Sequence, residues 1–306
     1  MSEPPSVILR REEVYPRPIV DGRPARNGTV GRLRRGVDRL LVSKSERAEA
    51  ELERQIQTQP CVTRPNAVAL ISPKGGVGKT TSTFVVGSLL ATHLHARVVA
   101  VDANPDFGTL ARLAPDSRRA ERTLADLLAD AERLKTAAEL NAYVSRLPSG
   151  LHLLGAPRDA EQTASLGPDR YGELVAFLSC FYEVVLLDLG TGVAGPLARF
   201  AIERADQVVL VTTPEWVTSS VVVEALRYLK HERATLAINK SLLRSGDSQA
   251  IEERFRAEHL HRSVMIPYDE QLATMLDTGT YGLGALRRPT RLAIKHLGLA
   301  VAEQLV

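Results

Sequence analysis

Ser72-Pro-Lys-Gly-Gly-Val-Gly-Lys-Thr-Thr81 decides how this 306-residue chain is read. Glycines at 75, 76 and 78 let consecutive backbone N–H groups turn toward a phosphate. Lys79 is spaced to reach β- and γ-phosphates, and the Thr80 hydroxyl is spaced to ligate Mg²⁺. The flanks agree with this. Ala67-Val-Ala-Leu-Ile71 reads as a buried strand entering the loop, and Thr80 to Leu94 reads as a helix leaving it with its positive end toward the phosphate. The stretch predicts a nucleoside triphosphate site formed by Lys74, Gly75, Gly76, Val77, Gly78, Lys79, Thr80 and Thr81.

The loop departs from the ordinary phosphate-loop pattern, because Pro73 stands where the first glycine belongs and a second lysine, Lys74, precedes Lys79 by five residues. This KGGxGK[ST] form resembles the deviant Walker A loop of the ParA/MinD family of ATPases. The resemblance implies that Lys74 reaches across a dimer interface to the partner's phosphates, so that ATP assembles a homodimer. A cation delivered to the developing γ-phosphoryl charge acts as an arginine finger does, worth on the order of 10³ to 10⁵ in rate.

Other stretches carry the same resemblance. Val184-Val-Leu-Leu-Asp188 is an apolar strand ending in an acid and followed by Leu-Gly-Thr-Gly192, similar to the family's Walker B strand and second switch. It places Asp188 with Thr80 at the magnesium. Val101-Asp102-Ala-Asn104-Pro105-Asp106 resembles the first switch, whose usual form is DxD. Asp102 matches the first acid, which makes it, with Lys74 and Lys79, a catalytic candidate and a third metal candidate. Asn104 replaces the second acid. An amide can hydrogen-bond a water but cannot take its proton, so slow hydrolysis is expected unless Asp106 or the γ-phosphate takes that part.

Asn239-Lys240 at a strand end resembles the family's adenine contact, and Ile266-Pro267-Tyr268-Asp269 its second base loop. A guanine reader of the NKxD type needs an Asp where this chain has Leu242, so ATP is the expected nucleotide. Cys61 and Cys180 form no CxxC, which sets aside the anion-pump and tail-anchored-protein branches, and Cys180 reads as a buried helix residue. No tyrosine cluster ends the chain, against the bacterial tyrosine kinases.

From Ala67 onward strands and helices alternate, which predicts a doubly wound, mostly parallel α/β sheet of about seven strands. Strands are expected at 67–71, 97–102, 151–155, 183–188, 207–213, 235–239 and 262–267, with the clearest intervening helix at 220–230. The ATPase domain is expected over residues 66–306, with an extension over 1–65. Residues 1–28, rich in Pro, Arg and Gly, read as disordered, and 29–57 as helical.

Charge and hydropathy bound the partners. The formal net charge is +3, and residues 1–66 hold thirteen Arg or Lys against nine Asp or Glu. Val30, Leu33, Val37, Leu40 and Leu41 at helical spacing, with four arginines between them, form a short basic amphipathic helix. Its apolar stripe suits packing on the main domain, a protein partner, or a membrane surface or nucleic acid. This basic arm is similar to that of ParA/MinD-like ATPases linked to actinobacterial type VII secretion. No run reaches the length of a membrane span, and the N-terminus has no signal architecture, so a cytoplasmic protein is expected. Ile294, Leu297, Val301 and Leu305 share one face of a terminal helix with few cations, which predicts a helix closing the sheet domain rather than a membrane anchor. Arg287, Arg288 and Arg291, with Arg227, Lys230 and Arg233, suit either a solvated face or nonspecific DNA phosphates. The function expected is an ATP-dependent dimerisation switch that positions a cargo. Two alternatives stay open: a regulator of a secretion or polar machine with little hydrolysis, and a DNA-binding partition ATPase.

Overall fold

The computed structural model describes residues 46–104, 108–164, 166–193, 195–215, 222, 233–241, 253, 262–278 and 281–305. The strands are β1 (Asn66–Ile71), β2 (Val98–Ala103), β3 (Val144–Arg146), β4 (His152–Leu154), β5 (Val184–Leu189), β6 (Gln207–Thr212), β7 (Ala234–Ser241) and β8 (Ser263–Pro267). They form one sheet in the order β3-β4-β2-β5-β1-β6-β7-β8. Every pairing is parallel except β3 with β4. The described helices are α1 (residues 48–57), α2 (Lys79–His93), α3 (Leu124–Asp130), α4 (Ala160–Ala164), α5 (Pro168–Leu178), α6 (Pro196–Arg204), α7 (Glu270–Thr278) and α8 (Arg288–Ala302).

A strand apolar on both faces belongs inside a parallel sheet covered on both sides. Accordingly Val68 and Leu70 of β1 point into one core with Phe84, Leu89, Ile294 and Leu297, from α2 and α8. Ala69 and Ile71 point into the other, with Leu124, Leu127, Leu174 and Leu178, from α3 and α5. The doubly wound, mostly parallel architecture expected from the sequence is present, and α8 closes it with Ile294, Leu297 and Val301 fully buried. The eighth strand, β3, escapes the sequence pattern because its three residues, Val144-Ser-Arg146, hold no apolar run, whereas the equally short β4 lies within one. It returns antiparallel to β4 on an edge, through a turn in which the Gly150 N–H donates to the Leu147 carbonyl.

Residues 48–57, which the sequence groups with the extension, lie in the same compact unit as the sheet. Leu52 and Ile56, one helical turn apart, are buried in the α2/α8 core. Glu49 accepts hydrogen bonds from Arg291 Nε at 2.7 Å and Lys295 Nζ at 3.0 Å, and Glu53 pairs with Lys295 at 2.7 Å. Arg291, one of the cations expected on a solvated or DNA-facing surface, is thus paired with the acidic face of α1. Cys180 corrects an expectation: it is exposed, since α5 ends at Leu178 and the chain turns outward there. The basic stretch at 30–41, Pro105 to Phe107, Arg227, Lys230 and almost all of the expected 220–230 helix lie outside the described residues. Among the described residues no helix is long and apolar enough to cross a membrane.

Candidate functional site

β1 ends at the centre of the sheet, between β5 and β6, so the loop that follows opens where neighbouring strands diverge. In open parallel sheets that carboxyl edge is where ligands bind. α2 starts directly from the loop, and it is buried almost continuously from Ser82 to Leu90, which fixes where its N-terminal end points. Gly76 and Gly78 take left-handed conformations, φ 74° and 99°. At Gly78 space matters as much as dihedral, because an added Cβ would lie 2.1 Å from the Asn239 side-chain amide.

That amide braces the loop. Asn239 Nδ2 donates to the Val77 carbonyl at 2.8 Å, and Lys240 Nζ donates to the Gly76 carbonyl at 2.8 Å. Lys240 reaches it through a positive φ of 56°, where the β7/β8 register breaks between Ile238 and Ser241. Both residues, expected as base contacts, thus hold the outer carbonyls of the phosphate loop. Pro267 pairs with Ser241 at the end of β8 and is buried, while the neighbouring Tyr268 ring is exposed.

Beneath the loop lie two carboxylates. Asp102 and Asp188 are register partners across β2 and β5, and both are buried. Burial, and then the charge of Asp188, push Asp102 up to about 7. Burial pushes Asp188 up to about 6, against the Thr80 hydrogen bond and the charge of Lys79. Thr80 Oγ1 donates to Asp188 Oδ2 at 2.6 Å. Lys79, itself buried, is pulled below the usual lysine range by desolvation, which Asp188 partly opposes. Asp102 accepts from the Leu110 N–H at 2.8 Å and the Asn104 N–H at 3.3 Å.

Asp188 Oδ1 is buried without a hydrogen-bond partner among the described residues. An orphaned carboxylate oxygen beside a hydroxyl and a second acid is a hard, all-oxygen donor set, and it fits Mg²⁺. Among the described residues no three His, Cys, Asp or Glu converge. That suits a cation held by one or two carboxylates and substrate phosphates rather than by a protein cage. When bound, the cation supplies charge neutralisation between phosphate oxygens. The chain's own part is to hold Thr80 and the acids in place and to keep Lys79 close to them in a site of low water content.

Lys74 sits apart from this cluster. It is half exposed, with Nζ 3.2 Å from the Glu215 carboxylate. Its backbone N–H donates to Ser72 Oγ at 3.2 Å, and the Ser72 hydroxyl donates to the Lys74 carbonyl at 2.9 Å. The loop after β5 touches the same strand end, where the Gly192 N–H donates to the Ser72 carbonyl at 2.9 Å. The structure also places Gly108 against the site, where an added Cβ would lie 2.3 Å from Asp102 Oδ2. Neither this packing nor the Asn239 brace leaves a signal in the sequence, since the brace joins residues 162 apart.

Sheet order, loop and paired acids together define a P-loop nucleotide-binding protein. A family model described as "AAA domain" matches residues 66–243. The chain is 29% identical over 245 residues to the ESX-1 secretion-associated protein EspI of Mycobacterium tuberculosis, covering 76% of this chain and 36% of that one. It is 32% identical over 148 residues to the septum site-determining protein MinD of Synechocystis, covering 48% of this chain and 53% of that one. The matches therefore span about a third to a half of the length of these relatives. Among solved structures, a ParA family ATPase from Chlorobium tepidum superimposes with a TM-score of 0.65 at 21% identity, over 77% of this chain and 98% of that one. MinD of Pyrococcus horikoshii, solved with Mg-ADP, gives 0.61 at 21% identity, over 77% and 94%. The chain belongs to the ParA/MinD family of P-loop ATPases.

Proposed function

We propose that this chain is an ATP-driven dimerisation switch that positions a cargo. ATP and Mg²⁺ assemble two copies, with Lys74 of each copy serving the other's phosphates, and slow hydrolysis releases them. The observation that carries the reading is the separation of the two loop lysines. Lys79 is buried beside Asp188, whereas Lys74, five residues earlier, stands exposed at the rim. An exposed ion pair such as Lys74–Glu215 is worth about 0–1 kcal/mol, so exchanging Glu215 for a partner's phosphate costs little. Thr80, Asp188 and Asp102 hold the magnesium in this reading, and Asn104 orients the attacking water without taking its proton. Septum site determination, named in the MinD relatives, is a positioning task of this kind.

Light scattering on size-exclusion peaks tests the central claim. The expected outcome is a monomer without nucleotide or with ADP, a dimer with ATP, and no ATP dimer for Lys74→Ala. A wild-type monomer under ATP overturns it. Single-turnover hydrolysis tests the slow step, with Asn104→Asp expected to be about tenfold faster or more; an unchanged or lower rate sinks that part.

A second reading rests on the breadth of the EspI match, which covers more of this chain than the Synechocystis MinD match does. In it the chain regulates a secretion machine through residues 1–47 with little turnover. It predicts ATP-dependent dimers whose cargo binding, but not whose dimerisation, is lost when residues 1–47 are removed. A partition role predicts ATP-dependent DNA binding that falls steeply with salt, read in the same assay.

A further inference from the structure

Four exposed arginines, Arg112, Arg119, Arg122 and Arg158, line one cavity of about 270 Å³ together with Gly108, and no carboxylate forms part of its wall. None of the residues from Ser72 to Thr81 lines it, so it is separate from the phosphate loop. The guanidinium groups are held mainly by neutral partners. Arg119 Nη2 donates to the Ala114 carbonyl at 3.1 Å, Arg158 Nη2 donates to the Glu121 carbonyl, and Arg122 lies over the Tyr143 ring, 5.0 Å from its centroid. Two have acid neighbours outside the cavity: Arg119 pairs with the exposed Asp116 at 2.8 Å, and Arg122 with Asp130 at 3.1 Å. Arg112 and Arg158 pair with no acid among the described residues.

A guanidinium has five donors in a planar fork, and a single carbonyl occupies only part of it. Arg112 and Arg158, the two without an acid partner among the described residues, leave positive charge at this concavity that an anion would offset. The volume suits a ligand the size of a phosphate ester. The chemistry favours phosphate over a lone carboxylate, because several forks can each grip a different phosphate oxygen.

We propose that this cavity is a second anion site, separate from the nucleotide loop, that takes a small phosphorylated ligand. Its wall includes Gly108, Ala111 and Arg112, and between Gly108 and Ala111 the Leu110 N–H holds Asp102. A ligand here therefore sits next to the segment that holds Asp102, and the site stands whether or not the dimerisation reading holds.

Calorimetry on the full chain tests it. The nucleotide loop is first filled with ADP in the absence of free magnesium, and inorganic pyrophosphate is then titrated. The expected result is one equivalent bound, with affinity independent of the ADP concentration. Arg112→Gln and Arg158→Gln, made separately, should each weaken binding about tenfold or more, the size of a lost hydrogen bond to a charged group. No heat with wild type, competition by ADP, or full affinity in both variants overturns the site. Binding of a DNA duplex with the same arginine dependence, without pyrophosphate binding, overturns the ligand class.

Discussion

At the scale of single residues, the pair Asp102–Asp188 is the most costly feature of the metal-free protein. Two carboxylates face each other across neighbouring strands with Lys79 as the buried cation between burial and charge, so full ionisation leaves an excess negative charge in a dry site. A carboxylate whose folded value is raised binds more protons folded than unfolded, so stability falls as pH rises through the window between the two values. For Asp188 that window runs from 3.8 to about 6, and for Asp102 from 3.8 to about 7. Asp188→Asn keeps an acceptor for Thr80 and removes the repulsion. It should raise the melting temperature of metal-free protein at pH 8 by a few degrees, on the order of 1 kcal/mol, with the gain shrinking toward pH 4. The same variant should lose the stabilisation that Mg²⁺ with nucleotide gives wild type. A melting temperature at pH 8 equal to or below wild type contradicts the account.

At the scale of elements, the phosphate loop is stiff because β7 grips it from outside. Asn239 satisfies the Val77 carbonyl and turns its own oxygen to the Lys240 N–H at 2.9 Å, so the side chain is fixed at both ends. Asn239→Ala leaves that carbonyl unpaired and opens space beside Gly78. ATP affinity should fall about fivefold to tenfold, the worth of a hydrogen bond of about 1 kcal/mol, with the melting temperature little changed once nucleotide saturates. Nucleotide titration by fluorescence checks this, and unchanged affinity would show the brace to be dispensable. Such contacts mark where the sequence stops being readable. β1, the loop and α2 could be read because each signal is local: an apolar run, a glycine pattern, a helix start. The seven expected strands were readable for the same reason, β4 through the apolar run that contains it. The Asn239 brace and the arginine cavity join residues far apart in the chain, while Gly108 and Asp102, six residues apart, meet through packing that no local residue pattern spells out. β3, Val144-Ser-Arg146, carries no apolar run, and Cys180 lies two residues beyond a helix end whose position the pattern leaves loose.

At the scale of the whole described unit, α1 ties the chain before the phosphate loop to its closing helix. Leu52 and Ile56 supply the apolar part, each worth about 1.5–3 kcal/mol on burial. Glu49 supplies the polar part with Arg291 and Lys295, and Lys295, only 4% exposed, pairs with this acid and with Glu53. The Arg291 hydrogen bond, with Lys295 behind it, holds the Glu49 carboxyl down at about 2 although burial works the other way. A depressed carboxylate contributes stability that is present above its unfolded value of 4.5 and is lost as pH falls toward 2. Glu49→Gln should therefore lower stability at pH 7 by on the order of 1–3 kcal/mol and flatten the acid limb of the stability curve between those values. Much of that loss is the penalty of leaving Lys295 buried with one partner fewer, rather than the worth of the pair itself. The double variant Glu49→Gln/Lys295→Met, which removes the stranded charge and keeps the volume, should recover part of the melting temperature. If the double variant melts below Glu49→Gln, the ion pair contributes net stability, and α1 is held by charge more than by Leu52 and Ile56.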